Sequence, residues 1–468
     1  MKVWTQVFGA VAASLNAASG GAAICFSAVL IHQLREDEEL QMDLHEASWI
    51  PTILMISSMA ASFMGGWFSD RFGRRACIIT WQMLALLCCI ATCLAPNKWV
   101  LYMARGAIGF ANGLYYPIIS VYVSETVHKS LRNAIGCLPS MFLAMGMLSS
   151  YVTGYFFHWR TCALIATIIP SLCIVTMLLC PESPYWLVEQ GLDNKAKKSL
   201  SFFRGKDYES ELQDILYLHK RKLANNRNVT TTSFWKSCAA LKTKSFLQPF
   251  SCVGILYGIC QFGGIPILIL FMPGIFEEAG STLDSFLAST MVMSIRVVTA
   301  GFASFVVHHV QKKYVFVFCS WCVGLSMTTL SMFNFIKSSA LASEELLDTL
   351  EHLQWIPVAA AITAMISHSL GVVNVLHIMA AESFPTEIRS FASGILQTFF
   401  SFLNVMAIKT YPLLLDYCGF NITFGFYASM CFLMGLWGLW KIERNDGLSL
   451  TEIERRLDKN SDDDPNPI

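Results

Sequence analysis

The sequence predicts an all-α membrane protein with twelve transmembrane helices, arranged as two sets of six with an intracellular helical segment between them. Three observations carry that expectation. First, 54% of the 468 residues are hydrophobic and only 14% are charged, where a soluble chain carries about a quarter charged residues. Mean hydropathy is +0.50, so the missing charge points to lipid as the solvent. Second, twelve apolar stretches are each long enough to cross a hydrocarbon layer about 30 Å thick, which takes roughly 20 residues of helix. Third, Lys and Arg fall almost entirely on one side of those stretches.

In chain order the stretches are 3–31, 48–69, 76–95, 99–123, 133–157 and 161–180, then 248–272, 285–311, 314–336, 353–381, 390–415 and 420–441. The first is too long for a cleaved leader and lacks a basic start, so it reads as a retained span. Four segments follow from this pattern: a six-helix bundle over 1–180, a linker over 181–247, a second bundle over 248–441 and a tail over 442–468. In the linker, "GLDNKAKKSLSFFRGKDYESELQDILYLHKRK" spaces Leu and Phe as short amphipathic helices do.

Charge placement sets the orientation. With the amino terminus inside, the inner segments hold Lys2, Arg71, Arg74, Arg75, Lys129, Arg132, Lys312, Lys313 and Arg389, with a dozen more over 181–247. The outer loops keep only Arg35, Lys98, Arg160 and Lys337. Both termini are therefore expected in the cytosol.

An internal repeat supports the division into halves. Glu125 and Arg132 are seven apart in "SETVHKSLR" after the fourth span, and Glu382 and Arg389 are seven apart in "ESFPTEIR" after the tenth. "DRFGRR" after the second span finds a weaker echo in "HHVQKK" after the eighth.

"GGWFSDRFGRR" (65–75), "ARGAIGF" (104–110), "VYVSETVHKSLR" (121–132) and "PESPYWL" (181–187) resemble the signatures of the sugar porter family of the major facilitator superfamily. "SWI" (48–50), "IFEEAGST" (275–282) and "LSLTEIE" (448–454) are similar to its insect trehalose transporter branch. The resemblance covers almost the whole chain and implies a major facilitator fold and facilitated movement of a sugar across the plasma membrane by alternating access.

The charged motifs suit such a machine. Asp70, Arg74 and Arg75 flank a turn that Gly73 permits, and with Glu125, Arg132, Arg105 and Glu182 they are expected to form a network at the inner face. The plainer reading makes Arg74 and Arg75 topology anchors only. Arg105, placed near the cytosolic end of the fourth helix, is expected to pair with Glu125 or Glu182, since an unpaired charge in the membrane costs about 2.5–3.5 kcal/mol on insertion scales. The second half repeats the network more thinly. Lys312, Glu382 and Arg389 remain, but His308 stands where the resemblance implies an acid, and Gln311 where it implies a glycine. The outward-facing state is therefore expected to be weakly latched.

The resemblance also marks a cavity, and here the chain departs from the pattern. The implied glutamine of the fifth helix is Ser140, and of two glutamines on the seventh only Gln261 survives, beside Cys260. Pro266, Leu270 and Phe271 replace an asparagine and two tyrosines. Arg296 replaces the asparagine of the eighth helix, His377 the tryptophan of the tenth, and Phe400 and Ser401 an asparagine and a tryptophan of the eleventh. Losing amides should weaken polyol binding, because each unmade buried hydrogen bond costs about 1–3 kcal/mol.

Arg296 lies eleven residues into its helix, about 16 Å along the axis. An intramembrane charge marks a functional site by default. Either Arg296 faces the central cavity and, with His377, favours an anionic solute, or it bonds backbone carbonyls or a polar side chain on another helix.

Other classes are poorly served. Zero net charge implies no nucleic-acid partner. Nucleotide, zinc, nucleophile-elbow and dinucleotide motifs are lacking, and most of the sixteen Cys sit singly in apolar runs, so no enzyme, metal or cofactor is expected. Helix one has no Asp or Glu between Val3 and Leu34, which favours facilitated diffusion over proton coupling. A monomer in the bilayer handling a small solute is the expected unit. A transport-deficient sensor is the alternative, though the tail is short for one.

Overall fold

The computed structural model describes residues 3–35, 37, 39–128, 131, 135, 138–205, 208–209, 211–213, 215–217, 244–279, 284–340, 353–382 and 389–441, and among these no strand occurs. Six helices build the first half: α1 (Val3–Gln33), α2 (Trp49–Phe72), α3 (Arg74–Cys93), α4 (Lys98–Thr126), α5 (Leu138–Phe156) and α6 (Trp159–Leu179), the last stepped at Thr167. The second half repeats the count with α7 (244–279), α8 (Ser285–His309), α9 (Lys312–Ala340), α10 (356–382), α11 (389–418) and α12 (420–441). Gly419, at φ 77°, breaks what is otherwise one continuous helix into the last two, as a residue without Cβ can. Among the described residues eight segments are long and apolar enough to cross a membrane on those criteria alone, one of them holding both α11 and α12. The expected fold class of twelve helices in two halves is what the structure shows. Between the halves, Pro184–Glu189 and Asp193–Arg204 form short helices that bury Leu187, Val188, Ala196 and Leu200 together.

Backbones approach closely within the first half because small residues line the seams. A Cβ on Gly21 would overlap the carbonyl oxygen of Leu143, and one on Gly146 would overlap that of Ala18, so α1 and α5 touch backbone to backbone. Gly109 and Gly113 do the same for α4 against the carbonyls of Leu54 and Ser58 on α2. The "GAIGFANG" run is therefore a packing face.

The apolar interior falls into unequal parts. The largest cluster joins both halves toward the end where α1 finishes, from Cys25, Leu30, Tyr151 and Trp159 to Leu268, Phe276, Tyr411 and Phe424. Toward the end where α1 starts the halves keep separate cores, one around Ile78, Tyr122 and Cys173, the other around Leu256, Phe316 and Leu376. The described halves are thus fused at one end of the bundle and distinct at the other.

Candidate functional site

The inner charge network is built around a turn. Gly73 (φ 95°) ends α2 and starts α3, and a side chain there would run into the carboxylate of Glu182. Glu182 Oε1 accepts from the backbone N–H of Arg74 at 3.0 Å and of Arg75 at 2.9 Å. A carboxylate more than a hundred residues away thus satisfies the open donors of a helix start. The Arg74 side chain, 7% exposed, reaches Glu125 at 3.2 Å and Asp70 at 3.3 Å. Arg75 donates to the carbonyls of Met177 and Leu178 at the end of α6, both at 2.9 Å.

The linker helices are clamped to the same place. Trp186 Nε1 donates to the carbonyl of Asp70 at 2.8 Å, Ser199 Oγ to that of Glu182 at 2.6 Å, and Arg204 Nη1 to that of Thr126 at 2.6 Å. Arg204 also pairs with Glu211 at 2.6 Å. Replacing Glu182 by alanine is expected to cost about 1–2 kcal/mol through the lost cap. In detergent this reads as a lower melting temperature, with reduced uptake and an unchanged oligomeric profile.

Arg105 corrects the sequence reading. α4 starts at Lys98, so residue 105 lies seven residues into the helix, about 10 Å from its start and at the end opposite Glu125. Glu125 is twenty residues further along the same helix. Fully buried, Arg105 instead donates to the carbonyl of Ala23 at 2.5 Å and to Ser27 Oγ on α1, and stands over the Phe26 ring at 5.7 Å. Beside it is a cavity with room for about one water molecule, lined by Ser19, Cys89 and Thr92.

Of the expected cavity residues, the clearest is Gln261. It ends the first part of α7, and the helix resumes only at Ile265, past Gly264 at φ 81°. Gln261 is 2% exposed and among the described residues its amide nitrogen has no bonding partner, an orphan donor that a bound hydroxyl can satisfy. Phe271 is buried, stands at a second irregularity of α7 and packs on Tyr411 at 4.6 Å. Phe400 packs on Tyr257 at 5.0 Å, inside the second half's own core. Ser140 is exposed near the start of α5, Ser401 is half-buried on α11, and Lys312 opens α9. Arg132 lies outside the described residues, as do the side chains of His308, His377, Glu382 and Arg389.

Arg296 sits on α8, half-buried, with Nη1 3.5 Å from the Met365 sulfur on α10 and within electrostatic reach of Cys25 on α1 and Tyr151 on α5. Its guanidinium therefore looks into the space where the halves meet.

Sequence reasoning missed the outer gate and a π-helical turn. His32 Nε2 meets Glu277 at 2.6 Å and His45 Nε2 meets Asp416 at 2.7 Å, each pair joining the two halves. Lys409 lies 3.7 Å over the Trp49 ring and donates to Ser48 Oγ at 2.9 Å. The Tyr151 hydroxyl donates to the carbonyl of Ile269. In the segment after α1, Asp37 accepts from Trp159 Nε1 at 2.6 Å. Burial pushes the Asp37 carboxyl up, but the Trp159 indole, two backbone N–H groups and His158 outweigh it, and its pKa lies below the ordinary value. In α10 the turn His368–Val372 is π-helical, a distortion common at functional sites.

A sequence profile described as "Sugar (and other) transporter" matches residues 5–457. The facilitated trehalose transporter Tret1 of Polypedilum vanderplanki is 26% identical over 459 residues, which are 97% of this chain and 88% of that protein. That of Apis mellifera ligustica is 27% identical over 464 residues, 98% of this chain and 89% of the relative. Against the Drosophila pseudoobscura pseudoobscura protein the identity is 25% over 97% of this chain, and the chain spans 51% of that relative's length. Among solved structures, the proton:xylose symporter XylE bound to 6-bromo-6-deoxy-D-glucose matches with a TM-score of 0.73 at 17% identity, covering 96% of this chain and 99% of that one. The inward open conformation of the xylose transporter XylE from E. coli gives 0.74 at 17%, covering 96% and 98%. Identity that low speaks to the fold alone.

Proposed function

The chain belongs to the sugar transporter family, and on that premise we propose that it is a facilitative carrier of a small sugar-class solute, working by alternating access. A multi-pass membrane transporter follows from the family; the solute, the mechanism and the setting are our reading. The observation that carries it is the uneven joining of the halves, with one shared apolar core outside and two separate cores inside. A carrier that opens to one side at a time needs such a division. The bundles over 1–180 and 248–441 are the moving bodies, and the 181–247 segment braces the first through Glu182, Trp186 and Arg204. Lys312, Glu382, Arg389 and Arg132 would complete the inner latch when the cavity turns outward.

Within the cavity, Gln261 is the group that meets solute hydroxyls, with Ser140, Phe271, His377, Phe400 and Ser401 as further lining. The absence of acid from α1 supports facilitated diffusion, because no carboxylate there can carry a proton. The plasma membrane with both termini in the cytosol fits the Lys and Arg distribution, and a monomer is sufficient for the cycle.

The test is uptake into proteoliposomes of a panel holding trehalose, glucose, xylose and D-glucuronate, with and without a proton gradient. Saturable uptake that ignores the gradient is expected, and Gln261→Leu should raise KM several-fold while kcat changes less. Folded protein that moves nothing in the panel would overturn the reading in favour of a sensor.

A further inference from the structure

Arg296 stands eleven residues into α8, a fixed positive charge inside a helix long and apolar enough to cross a membrane. Among the described residues no carboxylate pairs with it, and Nη1 meets the Met365 thioether, a weak acceptor, at 3.5 Å. From the sequence, the spans that surround it supply no acid either. Helices α1 and α5, and the membrane-spanning parts of α7 to α12, contain no Asp or Glu away from their ends. The neighbours within electrostatic reach, Cys25 and Tyr151, belong to the other half. α8 packs against α5, α7 and α10, so the charge stands at the boundary that the two halves share.

We propose that Arg296 selects an anionic solute, a sugar acid or similar hydroxylated monocarboxylate, whose carboxylate takes the place of the missing counter-ion. A guanidinium presents a planar fork of donors that matches a carboxylate in two parallel bonds. One carboxylate cancels one guanidinium, so the loaded site is neutral as the halves move past it. A phosphate ester, with close to two charges at neutral pH, would leave the site negative. The hydroxyls of the same solute meet the orphan amide of Gln261. This inference rests on the sugar-carrier reading and narrows the solute class of that site.

The experiment compares D-glucuronate with D-glucose in proteoliposomes. The wild-type protein is expected to favour glucuronate in kcat/KM by at least about tenfold, the scale of one charge-assisted bond made or lost. Unlabelled glucuronate should also inhibit glucose uptake more strongly than glucose does. Arg296→Gln should collapse that ratio by about the same factor, and Arg296→Lys should keep part of it. Glucose carried as well as glucuronate by the wild type would overturn this inference and leave the carrier reading standing. Transport of neither by folded protein would overturn both. The wild-type competition arm decides the matter even if the glutamine variant does not fold.

Discussion

Leucine in place of Gly146 leaves no folded transporter in the membrane. Position 146 faces the Ala18 carbonyl so closely that even a Cβ overlaps it, and Gly21 mirrors the contact from α1 against Leu143. The neighbour in each case is backbone, which cannot rotate away as a side chain can. Accommodating four extra carbons means prising α1 from α5 along their length. Overpacking a well-filled interior costs about 1–3 kcal/mol even where side chains can adjust. With helix backbones in contact the cost exceeds that, and it falls on a seam that also carries Ser150 Oγ to the carbonyl of Ala22 at 2.9 Å. Fluorescence-detected size exclusion should show aggregate where the wild type gives a monodisperse peak. Gly425→Ala is the control, since the nearest atom there is Ser331 Oγ at 3.7 Å. A monodisperse Gly146→Leu protein would show that the two helices do not meet as described.

Tethering His32→Cys to Glu277→Cys with a bifunctional methanethiosulfonate, which joins each thiol through a disulfide, is expected to stop transport entirely, and reduction to restore it. The two side chains meet at 2.6 Å across the halves, and any outward opening has to part them. A flexible linker is required rather than a direct disulfide, because residues touching through long side chains hold their Cα atoms beyond disulfide range. Cys418 is exposed, so the experiment belongs in a Cys418→Ser background. Uptake that survives complete crosslinking would mean that the outer ends of α1 and α7 do not separate in the cycle.

The architecture was legible because the membrane imposes it. A helix must be about 20 residues long and apolar to cross, and the breaks fall where Lys and Arg gather. The inner brace was legible in part, because Arg74 and Arg75 adjoin Gly73 in a short turn and Glu125 and Glu182 close the neighbouring helices. Arg105 was misplaced for a physical reason: an arginine draws the eye to carboxylates, whereas α4 runs from the outer face inward and holds position 105 far from both. A Ser27 hydroxyl and a backbone carbonyl take its Nη2 instead, and neither leaves a signature in the sequence. The outer gate was illegible because its partners are remote. His45 and Asp416 are 371 positions apart, and each alone is an ordinary polar residue at a helix end. The break in α7 left a trace in Gly263 and Gly264, while the π-helical turn of α10 left none. Gln261 was found by analogy of position, but only the structure shows its amide without a partner.

The unequal cores give the cycle a preferred resting point. Apolar contacts shared by both halves form only when the outer ends are shut, so turning outward without cargo exposes that surface, offset only by what the inner latch supplies. The empty carrier's return is then the slow half-turn, and a solute waiting on the far side relieves it. Isotope exchange between two filled compartments should outrun net flow into an empty one, making the protein a better equilibrator of pools than a filler of vacant ones.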